Sequence, residues 1–161
     1  MKMRKIFYFL LLSLTYSAFA QTWQVLNSVP PSTGRFEDLW FINPMTGWVV
    51  ENGGPKRILQ TTDGGSSFVT QYIETDTAAF GFRSVAFNNA NLGWAGSTSG
   101  LLVKTTNAGL NWTRVDSQIF PPPNGFCDMS VVGDSCFFGS GRLNGPTTFV
   151  RSTNAGLTYE C

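Results

Sequence analysis

The chain has 161 residues with 11 Lys/Arg against 10 Asp/Glu, a formal net charge of +1, which excludes the basic surface that nucleic acid or an anionic membrane would need. It contains no His, so Ser-His-Asp and Cys-His catalysis and any His-based metal site are excluded within it. Abundant Gly and aromatic residues with few charges suit short strands and tight turns, and no long stretch carries a helical period.

Residues 1–20 read as a secretory signal peptide. Lys2, Arg4 and Lys5 form the charged start, residues 6–14 are apolar, and Ala18-Phe19-Ala20 is a cleavage site. The apolar run is shorter than the roughly 20 residues of a bilayer-spanning helix. No Cys stands at the cleavage site, so the lipoprotein form of the signal is absent. The mature chain is expected to begin at Gln21. Removing the three basic signal residues from 11 leaves 8 against 10 acidic ones, a net charge of −2.

The first predicted strand, 22–27, has no strands before it to make a sheet. It is expected to complete the last unit of a closed ring. Phe36-Glu37-Asp38-Leu39-Trp40-Phe41 follows, then a turn at Asn43-Pro44-Met45-Thr46, a strand opening on Gly47-Trp48, and the strand Ile58-Leu59-Gln60-Thr61. That strand enters Thr61-Thr62-Asp63-Gly64-Gly65-Ser66-Ser67-Phe68. The order repeats at an offset of 46 with Phe82-Arg83-Ser84-Val85-Ala86-Phe87 and Gly93-Trp94, and Leu101–Thr105 then enters Thr105-Thr106-Asn107-Ala108-Gly109-Leu110-Asn111-Trp112. A divergent third copy runs from Phe126-Cys127-Asp128 through a turn at Gly133-Asp134 to Ser152-Thr153-Asn154-Ala155-Gly156-Leu157-Thr158-Tyr159.

The three corner motifs stand 44 and 47 residues apart, a period that marks stacked or radial repeats. In each, Asp63, Asn107 or Asn154 is placed to bond nearby amides, Gly65, Gly109 or Gly156 supplies positive φ, and Phe68, Trp112 or Tyr159 starts the next strand. Four short antiparallel strands per repeat is a β-propeller blade. The fold class is therefore all-β, with about three blades at roughly 35–73, 81–116 and 125–161 in a partial propeller over 21–161. Known propellers carry about 4 to 8 blades. The chain is thus expected to be the N-terminal part of a larger, six- to eight-bladed propeller, with self-association as the alternative. Of the three Cys, two could pair in an oxidising compartment. A symmetric hairpin about Gly133-Asp134 puts Cys136 opposite Val131 rather than Cys127, so buried free thiols are expected instead.

The corner motifs resemble the Asp boxes of the sialidase-type (BNR) repeat superfamily. The fuller pattern from Phe82 to Trp112 is similar to the photosystem II stability/assembly factor-like propellers, a family abundant among secreted bacterial proteins. The resemblance covers about residues 22–161. It implies that corners and first-to-second strand turns share one face, leaving the opposite, loop-rich face for binding. Asp63, Asn107 and Asn154 are then structural.

The loop face offers Arg35, Lys56, Arg57, Glu74, Asp76, Phe80, Phe120, Arg142 and Asn144 as candidate ligand-binding residues, with Arg83 opening an innermost strand toward the channel. A groove of Arg and aromatic residues suits a peptide or a glycan. The first expectation is a secreted, non-enzymatic module binding a protein or polysaccharide. The alternatives are the N-terminal part of a sialidase- or xyloglucanase-like glycoside hydrolase, which needs placed carboxylates such as Asp38, Glu74 and Asp76, and a cell-surface scaffold. No catalytic residue, metal, cofactor or nucleic-acid partner is assigned.

Overall fold

Short runs of alternating apolar and polar residues, each broken by Gly or Asx turns, build three separate antiparallel sheets instead of one continuous one. The structure, a computed structural model, describes residues 25–26, 28–141 and 146–161. The predicted signal peptide, all of the 22–27 strand but Val25 and Leu26, and residues 142–145 lie outside the described residues.

The first sheet is β1 (Arg35–Phe41), β2 (Gly47–Asn52), β3 (Lys56–Thr61) and β4 (Val69–Glu74), in sequence order. The second repeats it with β5 (Phe82–Phe87), β6 (Gly93–Ser97), β7 (Leu102–Thr105) and the short β8 (Thr113–Arg114), followed by a 3-10 turn over Asp116–Gln118. The third has β9 (Asp128–Val132), β10 (Cys136–Ser140) and β11 (Phe149–Ser152), and its fourth strand is reduced to one bridge between Arg151 and Glu160. These are propeller blades, stacked face to face with an apolar layer in each gap.

The first layer joins Trp48, Val50 and Ile58 of one blade to Val85, Phe87 and Val103 of the next. The second joins Trp94 and Leu102 to Phe126, Met129, Phe137 and Val150. Trp48 stacks on Phe87 at 3.6 Å, and Phe87 in turn lies over Gly93, where a Cβ would come within 2.5 Å of the ring. In the third blade the ring comes from the opposite strand: Val131 pairs with Phe137, and Phe137 stacks on Trp94 at 4.9 Å. The hairpin register there puts Cys136 opposite Val132, one residue beyond the expected Val131. All three thiols are free, but they are not buried as expected: Cys127 and Cys136 are half-buried and Cys161 is exposed.

Each corner motif closes in the same way. The carboxylate or amide oxygen of Asp63, Asn107 and Asn154 accepts the N–H of Ser67, Asn111 and Thr158, at 2.8, 2.9 and 3.0 Å. The hydroxyl two residues earlier (Thr61, Thr105, Ser152) accepts the N–H of Gly65, Gly109 and Gly156. The central residue, Gly64, Ala108 or Ala155, then donates its N–H to the first-to-second strand turn of its own blade, at the carbonyl of Met45, Asn91 or Ser135. That bond fixes the corners and those turns on one face. The blade-to-blade links and second-to-third strand loops are left together on the other.

Candidate functional site

On the loop face, two β-bulges set the site. In β1 the register skips between Phe36 and Asp38, and in β5 between Phe82 and Ser84, so Glu37 and Arg83 are the extra residues. A bulge re-aims its side chain out of the alternating pattern. The two re-aimed side chains meet as a close ion pair, and Arg35 pairs with the other Glu37 oxygen at 2.7 Å. Asn52 Nδ2 donates to Glu37 as well, at 3.2 Å. Glu37 is nearly enclosed while Arg35 is exposed and Arg83 partly so. Two guanidinium groups thus share one carboxylate, leaving one positive charge at the inner edge of the first two blades.

Of the predicted site residues, this brings together Arg35 and Arg83. Glu37 was not among them, although it lies 46 residues before Arg83. Opposite charges at one repeat position of adjacent inner strands were a legible signal for this pair.

Arg57 is buried and turned inward. Its Nε donates to the fully buried Glu51 at 2.6 Å, and its guanidinium reaches the carbonyls of Pro31 at 3.0 Å and Pro30 at 3.5 Å. Lys56 Nζ donates to the carbonyls of Asp76, at 2.7 Å, and Ala79. Glu74 is buried, accepting the Tyr72 hydroxyl at 3.0 Å and the Asp76 N–H at 2.7 Å. Burial, then the Glu74 carboxylate, pushes the Tyr72 phenol up to about 12. Lys56 and Glu74 thus hold the link between the first two blades, and Arg57 holds the segment before β1.

A groove of about 510 Å³ opens outside that link, lined by Asp76, Ser99, Arg114, Asp116, Gln118 and Phe120 among others. Arg114 bridges Asp116 at 3.2 Å and Asp76 at 3.4 Å. The Ala78 N–H foremost, with Arg114 behind it, holds the Asp76 carboxyl below its usual value. Phe120, which lines the groove, is exposed, and so is Phe80, next in sequence to the lining residue Ala79. Arg142 and Asn144 lie outside the described residues. Among the described residues no group of His, Cys, Asp and Glu is arranged to hold a metal ion, and no helix is long and apolar enough to cross a membrane.

A family model described as photosynthesis system II assembly factor YCF48 matches residues 16–124. The photosystem II assembly lipoprotein Ycf48 of Synechococcus sp. (strain CC9902) is 27% identical over 124 residues, which are 76% of this chain and 32% of that protein. Among solved structures, YCF48 bound to D1 peptide superposes with a TM-score of 0.62 at 22% identity, over 80% of this chain and 40% of that one. YCF48 from Cyanidioschyzon merolae gives 0.60 at 19% identity, over 82% and 41%. At those identities the structural likeness establishes the propeller fold. The chain spans about a third of the length of the curated relative and about two fifths of the solved ones.

Proposed function

The chain belongs to the photosynthesis system II assembly factor YCF48 family, and we propose that it binds a protein segment on its loop face, outside the cytoplasm, without catalysing a reaction. The observation that carries this reading is the Arg35–Glu37–Arg83 cluster, with its surplus positive charge on two bulge-aimed strands. It suits an anionic group on the partner, while the exposed Phe120 lines a groove that suits the partner's apolar side chains. The relative solved with a D1 peptide makes a protein segment the preferred occupant over a polysaccharide. Export is proposed from the signal-like residues 1–20, in line with the lipoprotein relative, although this chain has no Cys at the cleavage position.

Hydrolysis has less support. Asp38 accepts the N–H of Leu39 and Val85, Glu74 that of Asp76, and Asp76 that of Ala78, so each candidate carboxylate already holds backbone.

Calorimetric titration of the purified chain with the D1 peptide tests the proposal. Arg83→Ala is expected to weaken binding about tenfold, the worth of one hydrogen bond to a charged group, and Arg35→Ala to weaken it less. Absence of binding, or affinity unchanged in both variants, overturns it.

A further inference from the structure

One pocket takes no part in the loop-face site. It lies beside the second corner, in the gap between the second and third blades, with a volume of about 340 Å³. Lys104, Thr106, Asn107, Asn111, Thr113 and Gln118 line it among others, and no Asp or Glu does. The volume is at the low end of the roughly 300–1,000 Å³ of small-molecule sites, but the lining is polar where such sites are mostly apolar. Among the described residues that line it, Lys104 alone is charged.

The structural work of Lys104 is done one blade earlier without a charge. Gln60 holds the same register position, paired with Trp48 as Lys104 is with Trp94. Gln60 Nε2 donates to the corner carbonyl of Ala108 at 3.2 Å, and Lys104 Nζ donates to that of Gly156 at 3.1 Å. A neutral amide thus meets the corner's need, and the ammonium charge is surplus to it. Gln60 also accepts Gln71 Nε2 at 2.7 Å, whereas Lys104 has Thr113 opposite it in the ladder. Among the described residues Lys104 forms no ion pair. Burial pushes its pKa below the ordinary value, the direction of a half-buried ammonium without a counter-charge.

The second corner adds free neutral groups around that charge. In the first corner Ser67 Oγ donates to Asp63 at 2.6 Å, and in the third Asn154 Nδ2 donates to Thr158 Oγ1 at 2.8 Å. The second corner has amides at both places, so Asn107 stands where the first corner has a carboxylate. Asn107 Oδ1 accepts the Asn111 N–H at 2.9 Å. Asn107 Nδ2 and the whole Asn111 side-chain amide have no protein partner among the described residues, and both residues line the pocket.

We propose that this pocket binds a sugar acid, its carboxylate on the Lys104 ammonium and its hydroxyls on the amides of Asn107 and Asn111 and the hydroxyls of Thr106 and Thr113. An unpaired ammonium selects an anion. Unengaged amides and hydroxyls, which donate and accept, select a polyhydroxylated one. A bare oxyanion would use the charge and leave most of the neutral groups unmatched. The site does not depend on the loop-face reading.

Titration of the isotope-labelled chain with glucuronate, followed by amide NMR, tests this. The side-chain amide signals of Asn107 and Asn111 are expected to shift saturably. Glucose lacks the charge and inorganic phosphate lacks the sugar hydroxyls, so each is expected to bind about tenfold more weakly. Lys104→Gln copies Gln60 and keeps a donor for the Gly156 carbonyl. It is expected to lower glucuronate affinity about tenfold and to leave glucose affinity unchanged. Asn111→Asp, at an exposed position, puts a carboxylate into the pocket and is expected to weaken glucuronate likewise; it serves should Lys104→Gln fail to fold. Amide signals indifferent to glucuronate, glucose or phosphate binding as tightly as glucuronate, or glucuronate affinity unchanged in the folded variants overturns the proposal.

Discussion

At the scale of single residues, the corner motif shows which atoms the repeat preserves. The Asx oxygen and the preceding hydroxyl each take one backbone N–H, so a corner with Asn closes as well as one with Asp. Only the first corner carries a charge. The Ser67 hydroxyl first, then the Ser67 N–H and the Thr61 hydroxyl, hold the Asp63 carboxyl below its usual 3.8. A carboxyl with a lowered folded value contributes stability above its unfolded value and loses it as pH falls through the folded one. The contribution is therefore complete above about pH 4 to 5 and fades below 3.8. Asp63→Asn, which copies the other two corners, is expected to flatten the acid limb of stability against pH between about pH 5 and 2. Urea midpoints across that range would check it; an unaltered acid limb would show that Asp63 contributes no pH-dependent stability.

Between elements, the two blade contacts solve one problem differently. Trp94 Nε1 donates to the Tyr159 hydroxyl at 3.1 Å, because the third corner ends in a phenol. The second corner ends in Trp112, which can only donate, and both Trp48 Nε1 and Trp112 Nε1 are buried with no partner among the described residues. Trp112→Tyr removes one unpaired donor and offers an acceptor to the other. A gain of about 1 kcal/mol is expected from the hydrogen bond, less the apolar area that the smaller ring gives up. A lower urea midpoint would refute this, as would a Trp112→Phe variant that stabilises equally, since Phe accepts nothing. The pairing of Trp48 and Trp94 with their corners was legible from the offset of 46, which places both at one blade position. The third blade was harder to read, because its ring moved from the first strand to the second and took the Gly-Trp landmark with it.

Across the whole molecule, the strand order within each blade followed from local chemistry, since Asx corners, alternating strands and turn residues recur in register, whereas the loop face was implied by the family resemblance. Residue roles on that face were less legible, because they depend on where neighbouring strands bring a charge. Arg57 and Arg83 occupy similar stretches of sequence, yet a bulge turns Arg83 toward the channel edge while Arg57 faces inward onto Glu51. That inner pair ties the segment before β1 to the stack: Ser32 Oγ donates to Glu51, and Arg57 reaches the Pro30 and Pro31 carbonyls. Removing one partner of a buried ion pair leaves the other charge uncompensated and costs about 3–5 kcal/mol, whereas replacing both with apolar residues of similar size is often near neutral. Arg57→Ala is therefore expected to lose stability in that range and to make residues 28–34 readily cleaved by protease. The double variant Glu51→Leu with Arg57→Met should recover most of the urea midpoint but not the protection, because the Pro30 and Pro31 carbonyls lose their donor in both. Equal midpoints for the single and double variants would mean that the pair holds the segment without supporting the blade.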